Sequence, residues 1–238
     1  MQRTDIDALV DAHPTLHAHR DYLHGIARPS VTVQIDEQGP FGHQSRFGGN
    51  PLVGPGFEWP LHPIGEYCFI GHIDFAEIVD RPEALPDSGV LSLFHAQDEE
   101  GEVFWGNDGY VLGYYWPDPT VLVPMASPHG RPAPARRIHL RGAIDLPRHR
   151  ELRNDWPFDV DQLEDLGQAL PDDYLLGHPS HYSLAYDPMP GPDWCSLLTV
   201  QSHEAFDWCW HDGDKLMVFI EKQRLAARDF SRLKSDAG

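Results

Sequence analysis

The chain has 238 residues, of which 41% are hydrophobic and 11% aromatic, and it carries a formal net charge of -19. A chain of this length buries roughly 70% of its unfolded surface in a compact core, and this aromatic content excludes a disordered chain. No apolar run approaches the ~18 residues of a transmembrane helix, and the carboxylates of Met1–Val10 interrupt the apolar stretch a signal peptide requires.

Thr4, with Asp7 three residues on, reads as a helix N-cap. Ile6, Leu9, Val10, Leu16, Leu23 and Ile26 then follow a helical stripe, broken at Pro14. Val31, Val33 and Ile35 alternate with polar residues and predict a half-buried strand. Residues 39–65, rich in Gly and Pro, read as a long ordered loop. Further strands are expected at Cys68–Phe75, Val90–His95, Tyr110–Trp116, Val121–Pro124, Ile138–Leu140, Ser196–Val200 and Leu216–Glu221. Helices are expected at Val160–Leu170 and Glu221–Leu233. Strands dominate and helices fall at the ends, so the expected class is α+β with mostly antiparallel pairing.

The two halves echo each other. Gly49-Asn-Pro51 precedes Cys68-Phe-Ile-Gly-His-Ile-Asp-Phe75, and Gly177-His-Pro179 precedes Cys195-Ser-Leu-Leu-Thr-Val200 at nearly the same interval. The expected architecture is one domain over residues 1–238, built from two pseudo-repeated β units at about 28–125 and 154–233, with a helix at each terminus.

Several motifs together resemble the bacterial YwqG-like family. They include Ser45-Arg-Phe-Gly-Gly-Asn-Pro51, Trp59-Pro60, Phe69-Ile-Gly-His-Ile-Asp74, Leu176-Gly-His-Pro179, Trp208 to Gly213 and Leu225-Ala-Ala-Arg-Asp-Phe230. Where this chain has His72, the family pattern usually has Gln. The resemblance implies a duplicated α+β fold. It also implies kinship with proteins encoded beside bacterial toxins, where they look like immunity proteins.

Residues that could carry chemistry give little support to an enzyme. His13, His17, His19 and His24 have helical spacing but lack an HExxH pattern, and Arg20 among them opposes a cation. The few cysteines (Cys68, Cys195, Cys209) have no CxxC spacing and suit a reducing cytosol. Cys68 and Cys195 read as small buried hydrophobes, Asp74 as a turn or cap residue. Neither a phosphate loop nor a Ser-His-Asp pattern is present. No cofactor and no metal is expected.

Charge is distributed unevenly. Residues 154–214 hold 13 acids and no Lys or Arg. Nucleic acid is disfavoured as a direct ligand, since phosphate binding rests on Lys and Arg. A one-sign face speeds association with a positive partner. Aromatic anchors within charge are typical of interface hot spots. The expected partner-binding residues are therefore Trp156, Asp159, Asp161, Glu164, Asp165, Asp172, Asp173, Asp207 and Asp212, with Trp156–Asp173 the favoured stretch. Trp208 and Trp210 can instead pack in the core, and Trp208, which falls within the family pattern, reads as structural. The expectation is a cytoplasmic immunity protein that binds a cognate basic toxin, a nuclease effector, in a 1:1 complex and occludes its active site. The alternative is a small-ligand binder or enzyme with a pocket between the repeats near His72, Asp74 and the Gly49 loop.

Overall fold

The computed structural model describes residues 3–37, 39–40, 42–62, 65–97, 105–128, 130, 132–147, 155–158, 170–180 and 183–238. The chain begins with α1 (Arg3–Ala12), a 3-10 turn at Pro14–His19 and α2 (Arg20–Ile26). Pro14 starts the 3-10 turn, where its missing N–H costs nothing. Ile6, Val10, Leu16 and Leu23 are fully buried and pack with Leu146, Trp156 and Leu170 in a small core of their own.

The strands are β1 (Arg28–Ile35), β2 (Arg46–Phe47), β3 (Leu52–Val53), β4 (Leu61–His62), β5 (Gly65–Asp74), β6 (Val90–Ala96) and β7 (Val111–Trp116). After them come β8 (Val123–Pro124), β9 (Arg136–Asp145), β10 (Tyr174–Leu176), β11 (Trp194–Gln201), β12 (Lys215–Glu221) and β13 (Lys234–Ala237). A third short helix, α3 (Lys222–Ala226), lies between the last two strands. All but β3 and β8 join one 11-stranded sheet, in the order β13-β12-β11-β10-β1-β9-β2-β5-β6-β7 with β4 on β5. Every pair of named strands is antiparallel.

This architecture overturns the expected α+β class. Among the described residues, those in strands outnumber helical ones about two to one. The expected C-terminal helix over 221–233 is helical only at Lys222–Ala226, since Arg228 turns left-handed at φ 57° and ends it. Two separate β units are not formed either. β1 precedes β2 in sequence yet pairs with β10, Ser30 opposite Leu176. β9 precedes β10 yet pairs with β2, Arg46 opposite Arg137. The two meet along their full length, Arg28 opposite Asp145 through Ile35 opposite Ile138. Each half thus gives its first strand to the other, and the halves share one sheet. The helix expected at Val160–Leu170 lies outside the described residues, except for Leu170.

A correspondence of register runs through this sheet. Pairing of β5 with β6 slips between Phe69 and Gly71, and pairing of β11 with β12 slips between Ser196 and Leu198. Each bulge therefore falls two residues beyond a cysteine, Cys68 or Cys195. The sheet also curls. A Cβ on Gly113 of β7 would stand 2.9 Å from the Leu233 side chain and from the Phe230 carbonyl, just before β13. The space inside is filled by one large core that draws on both halves, including Phe47, Phe94, Leu198, Trp208, Trp210 and Val218.

Candidate functional site

The sheet brings the Gly48–Gly49 turn against two remote segments. Gly48 and Gly49 have φ of 66° and 75°, and a Cβ on them would meet the Pro134 carbonyl at 2.5 Å and the Ala135 Cβ at 2.7 Å. Only glycine permits this approach. The Gly49 N–H donates to the Ala133 carbonyl at 2.9 Å, fixing the 132–135 segment beside β5.

From the other half comes a loop after β11. Its anchor is Asp173, buried at the start of β10. Asp173 accepts the Gln201 N–H at 2.8 Å, and its other oxygen lies 2.8 Å from His203 Nε2. The loop then makes a 3-10 turn at Glu204–Phe206 and leaves it through Asp207, left-handed at φ 59° and ψ 34°. Phe206 and Trp208 turn inward and meet each other at 4.6 Å between ring centroids, and Phe47 at 6.0 and 5.3 Å.

Between these pieces lies a cavity of about 620 Å³. Its aromatic lining is Trp59, Phe69, Phe206 and Trp208; its polar lining includes Cys68, His95, Gln97 and Asp207. Asp207 is exposed, and it is the one carboxylate among the lining residues, which include no Lys or Arg. The Cys68 thiol donates to Gln97 Oε1 at 3.0 Å. Burial, helped by Glu66, pushes that thiol up, away from the reactive thiolate. His95 keeps part of its surface on the cavity, but the surrounding protein desolvates its charged form and lowers it to about 4. Cys68 and His95 therefore stay neutral near pH 7, leaving Asp207 to set the sign of the site.

The residues expected to form a partner face are dispersed. Trp156 is buried beside Tyr22 and Phe158, at ring separations of 6.2 and 5.4 Å. Asp159, Asp161, Glu164 and Asp165 lie outside the described residues. Asp172 is half exposed and pairs with Lys215 Nζ at 2.6 Å. Asp173 is the loop anchor just described. Asp207 stands at the cavity, and Asp212 is 94% exposed beyond it on the same loop. Structure thus joins Asp173 to Asp207 through His203 and adds Trp59, Phe69, Gln97 and the 132–134 segment. Sequence offered two signals for this set: Asp173 and Asp207 within the acidic stretch, and the adjacent glycines Gly48 and Gly49, which permit a tight turn.

His72 and Asp74, expected near the pocket, lie on the wall of the Gly49 turn rather than in the cavity. Asp74 caps the 3-10 turn at Phe75–Glu77 by accepting the Ala76 N–H at 3.0 Å, and meets His43 Nδ1 at 2.7 Å. Among the described residues no group of His, Cys, Asp or Glu is placed to hold a metal ion. Nor is any helix among them long and apolar enough to cross a membrane.

Fold and site together define a curled antiparallel sheet that holds an aromatic cavity with an acidic mouth. Its sequence from residue 45 to 235 matches the family described as a domain of unknown function (DUF1963), and the chain belongs to that family. No curated protein matches it.

Proposed function

We propose that this protein works by binding a positively charged partner, as a cytoplasmic immunity protein that neutralises a cognate basic toxin in a 1:1 complex. The observation that carries this reading is the pairing of Asp207 with four aromatic side chains around one cavity. A Lys or Arg head entering there meets ring faces and a carboxylate at once, and cation–π contacts contribute about 2 kcal/mol when desolvated. Net charge supports the same partner, because -19 steers basic proteins toward the surface. A nuclease fits best among toxins, since it carries the cations that grip phosphate. Inhibition follows if those cations are held here instead. No turnover and no cofactor enter the mechanism. The finer assignment, to the YwqG-like family with its toxin-associated members, belongs to the same proposal and rests on the motifs quoted above.

The test is a pull-down from the source organism's lysate at low and high salt, followed by a toxicity assay of each protein recovered. A basic toxin, lost as salt rises and neutralised by the wild-type chain but poorly by Asp207→Asn, is the expected result. Recovery of no toxin, or equal neutralisation by both chains, would overturn the reading.

A second reading is favoured by the cavity's size, which falls in the range of small-molecule sites, about 300–1,000 Å³. It takes a small cation, such as a quaternary ammonium compound, in place of a protein side chain. Saturable binding of tetramethylammonium, read by tryptophan fluorescence in the absence of any protein partner, would favour it.

A further inference from the structure

A second cavity, of about 500 Å³, opens at the corresponding place in the other half. Gly177 and Cys195 line it, as Gly49 and Cys68 line the first. Its walls are apolar: Leu176 ends β10, Trp194 begins β11, Leu225 belongs to α3, and Met189 comes from the segment between β10 and β11. The sign of its charge is reversed. Only Arg28 and Lys222 among its lining residues are charged, and both are exposed.

Unpaired cations are scarce in a chain with 37 acids and 18 Lys and Arg. Glu221, the acid next to Lys222, is taken by Arg224 at 3.4 Å and Arg232 at 3.6 Å. Among the described residues, neither Arg28 nor Lys222 has a carboxylate within ion-pair distance. Lys222 Nζ donates to the Pro192 carbonyl at 2.7 Å, which holds the ammonium at the cavity and leaves it hydrogens to give. The two cations line the same cavity as the Cys195 thiol, whose pKa burial raises and they lower.

We infer that this second cavity is a binding site for a small amphipathic carboxylate. The alkyl or aryl body packs against Trp194, Leu176 and Leu225, and the carboxylate sits between Arg28 and Lys222. A guanidinium donates to both oxygens of a carboxylate in a two-pronged geometry, and an ammonium adds a point charge. A compact inorganic anion would satisfy the cations but leave the apolar wall wet. A neutral alcohol would cover the wall and leave the cations without a counterion. Only a ligand with both parts uses the whole site, and this site is independent of the acidic cavity.

The probe is octanoate, titrated into the full-length protein by calorimetry, with octanol as its neutral counterpart. Octanoate should bind saturably and more tightly than octanol, and it should slow iodoacetamide labelling of Cys195 without slowing that of Cys68. The Arg28→Gln/Lys222→Gln variant should weaken octanoate by about tenfold or more, the scale of lost charged hydrogen bonds, and leave octanol unchanged. Both positions are exposed, so the melting temperature should hold; Lys222→Gln alone serves if the double variant fails to fold. Absence of saturable octanoate binding, equal affinity for octanol, equal binding by the variant, or protection of Cys68 instead of Cys195 would each overturn the inference.

Discussion

Arg46 Nη2 stands 3.3 Å from His72 Nδ1, inside the sheet where β2 meets β5. A guanidinium only donates, so Nδ1 accepts and the imidazole proton sits on Nε2. From there it is given to the Leu52 carbonyl at 3.1 Å, and the Leu52 N–H, 3.2 Å from the same nitrogen, finds no acceptor there in this tautomer. This geometry holds His72 neutral, and burial first, then the adjacent Arg46 charge, push its pKa well below the ordinary value.

Acid should therefore unfold the protein earlier than its carboxylates alone require. Unfolded, His72 and His95 take up protons as pH falls through 6.5; folded, His95 refuses one until about 4 and His72 until well below 6.5. The unfolded state binds more protons across that window, so stability is full above it and is lost as pH falls. His95 alone contributes on the order of 2 kcal/mol of this loss, allowing for its partial exposure. Urea midpoints measured at a series of pH values from neutral down to the lower end of the window should fall steadily. A flat profile would show that neither imidazole is held neutral.

Replacement of His72 should separate shape from hydrogen bonding. His72→Gln keeps an acceptor for Arg46 and should cost about 1 kcal/mol. His72→Leu leaves the buried Arg46 guanidinium with the Gly42 carbonyl but without its imidazole acceptor, and should cost about 3 kcal/mol. Urea unfolding of the two variants at neutral pH checks the order. Equal losses would mean that packing alone holds this position.

Asp207 sits in the left-handed region at the cavity, and one substitution separates its backbone cost from its proposed role in binding. A non-glycine residue in the left-handed region carries a cost of roughly 1 kcal/mol, less for Asp than for most. Asp207→Gly should therefore hold or raise the melting temperature while it weakens binding of cationic ligands such as tetramethylammonium. Intact binding in this variant would remove Asp207 from the site.

Gly142 tests the central strand. It lies on β9 opposite Val31, its N–H donates to the Val79 carbonyl at 2.6 Å, and a Cβ there would overlap the Asp80 carbonyl oxygen. Gly142→Ala should cost about 3 kcal/mol, at the upper end for overpacking, because the obstacle is backbone and cannot rotate away. Thermal unfolding measures this directly; a loss under about 1 kcal/mol would mean the 79–80 segment moves freely.

Much of the sheet was legible one strand at a time. Val31, Val33 and Ile35 alternate as a half-buried strand should, and the apolar runs at Cys68, Val90, Tyr110, Ser196 and Leu216 all became strands. β2 and β10 were missed because two or three residues are too few to show a period. β13, Lys234–Ala237, carries Lys, Ser and Asp and owes its conformation to pairing with β12. Pairing was the least legible level. The echo between Cys68 and Cys195 marks strands at matching places, but nothing local announces that β1 crosses to β10. At the site, Asp207 and the glycine pair could be named in advance. Trp59, Phe69 and Gln97 could not, since only the sheet gathers them.

The crossing of β1 and β9 also governs how the chain can be made. β1 leaves the ribosome long before β9 and β10, its two neighbours, have been synthesised. Until then the nascent N-terminal half holds open strand edges, which invite intermolecular pairing. Such distant contacts slow folding, because loop closure precedes any reward. A truncation between β7 and β9 removes both partners of β1, one between β9 and β10 removes one of them, and no half-length product retains a complete sheet.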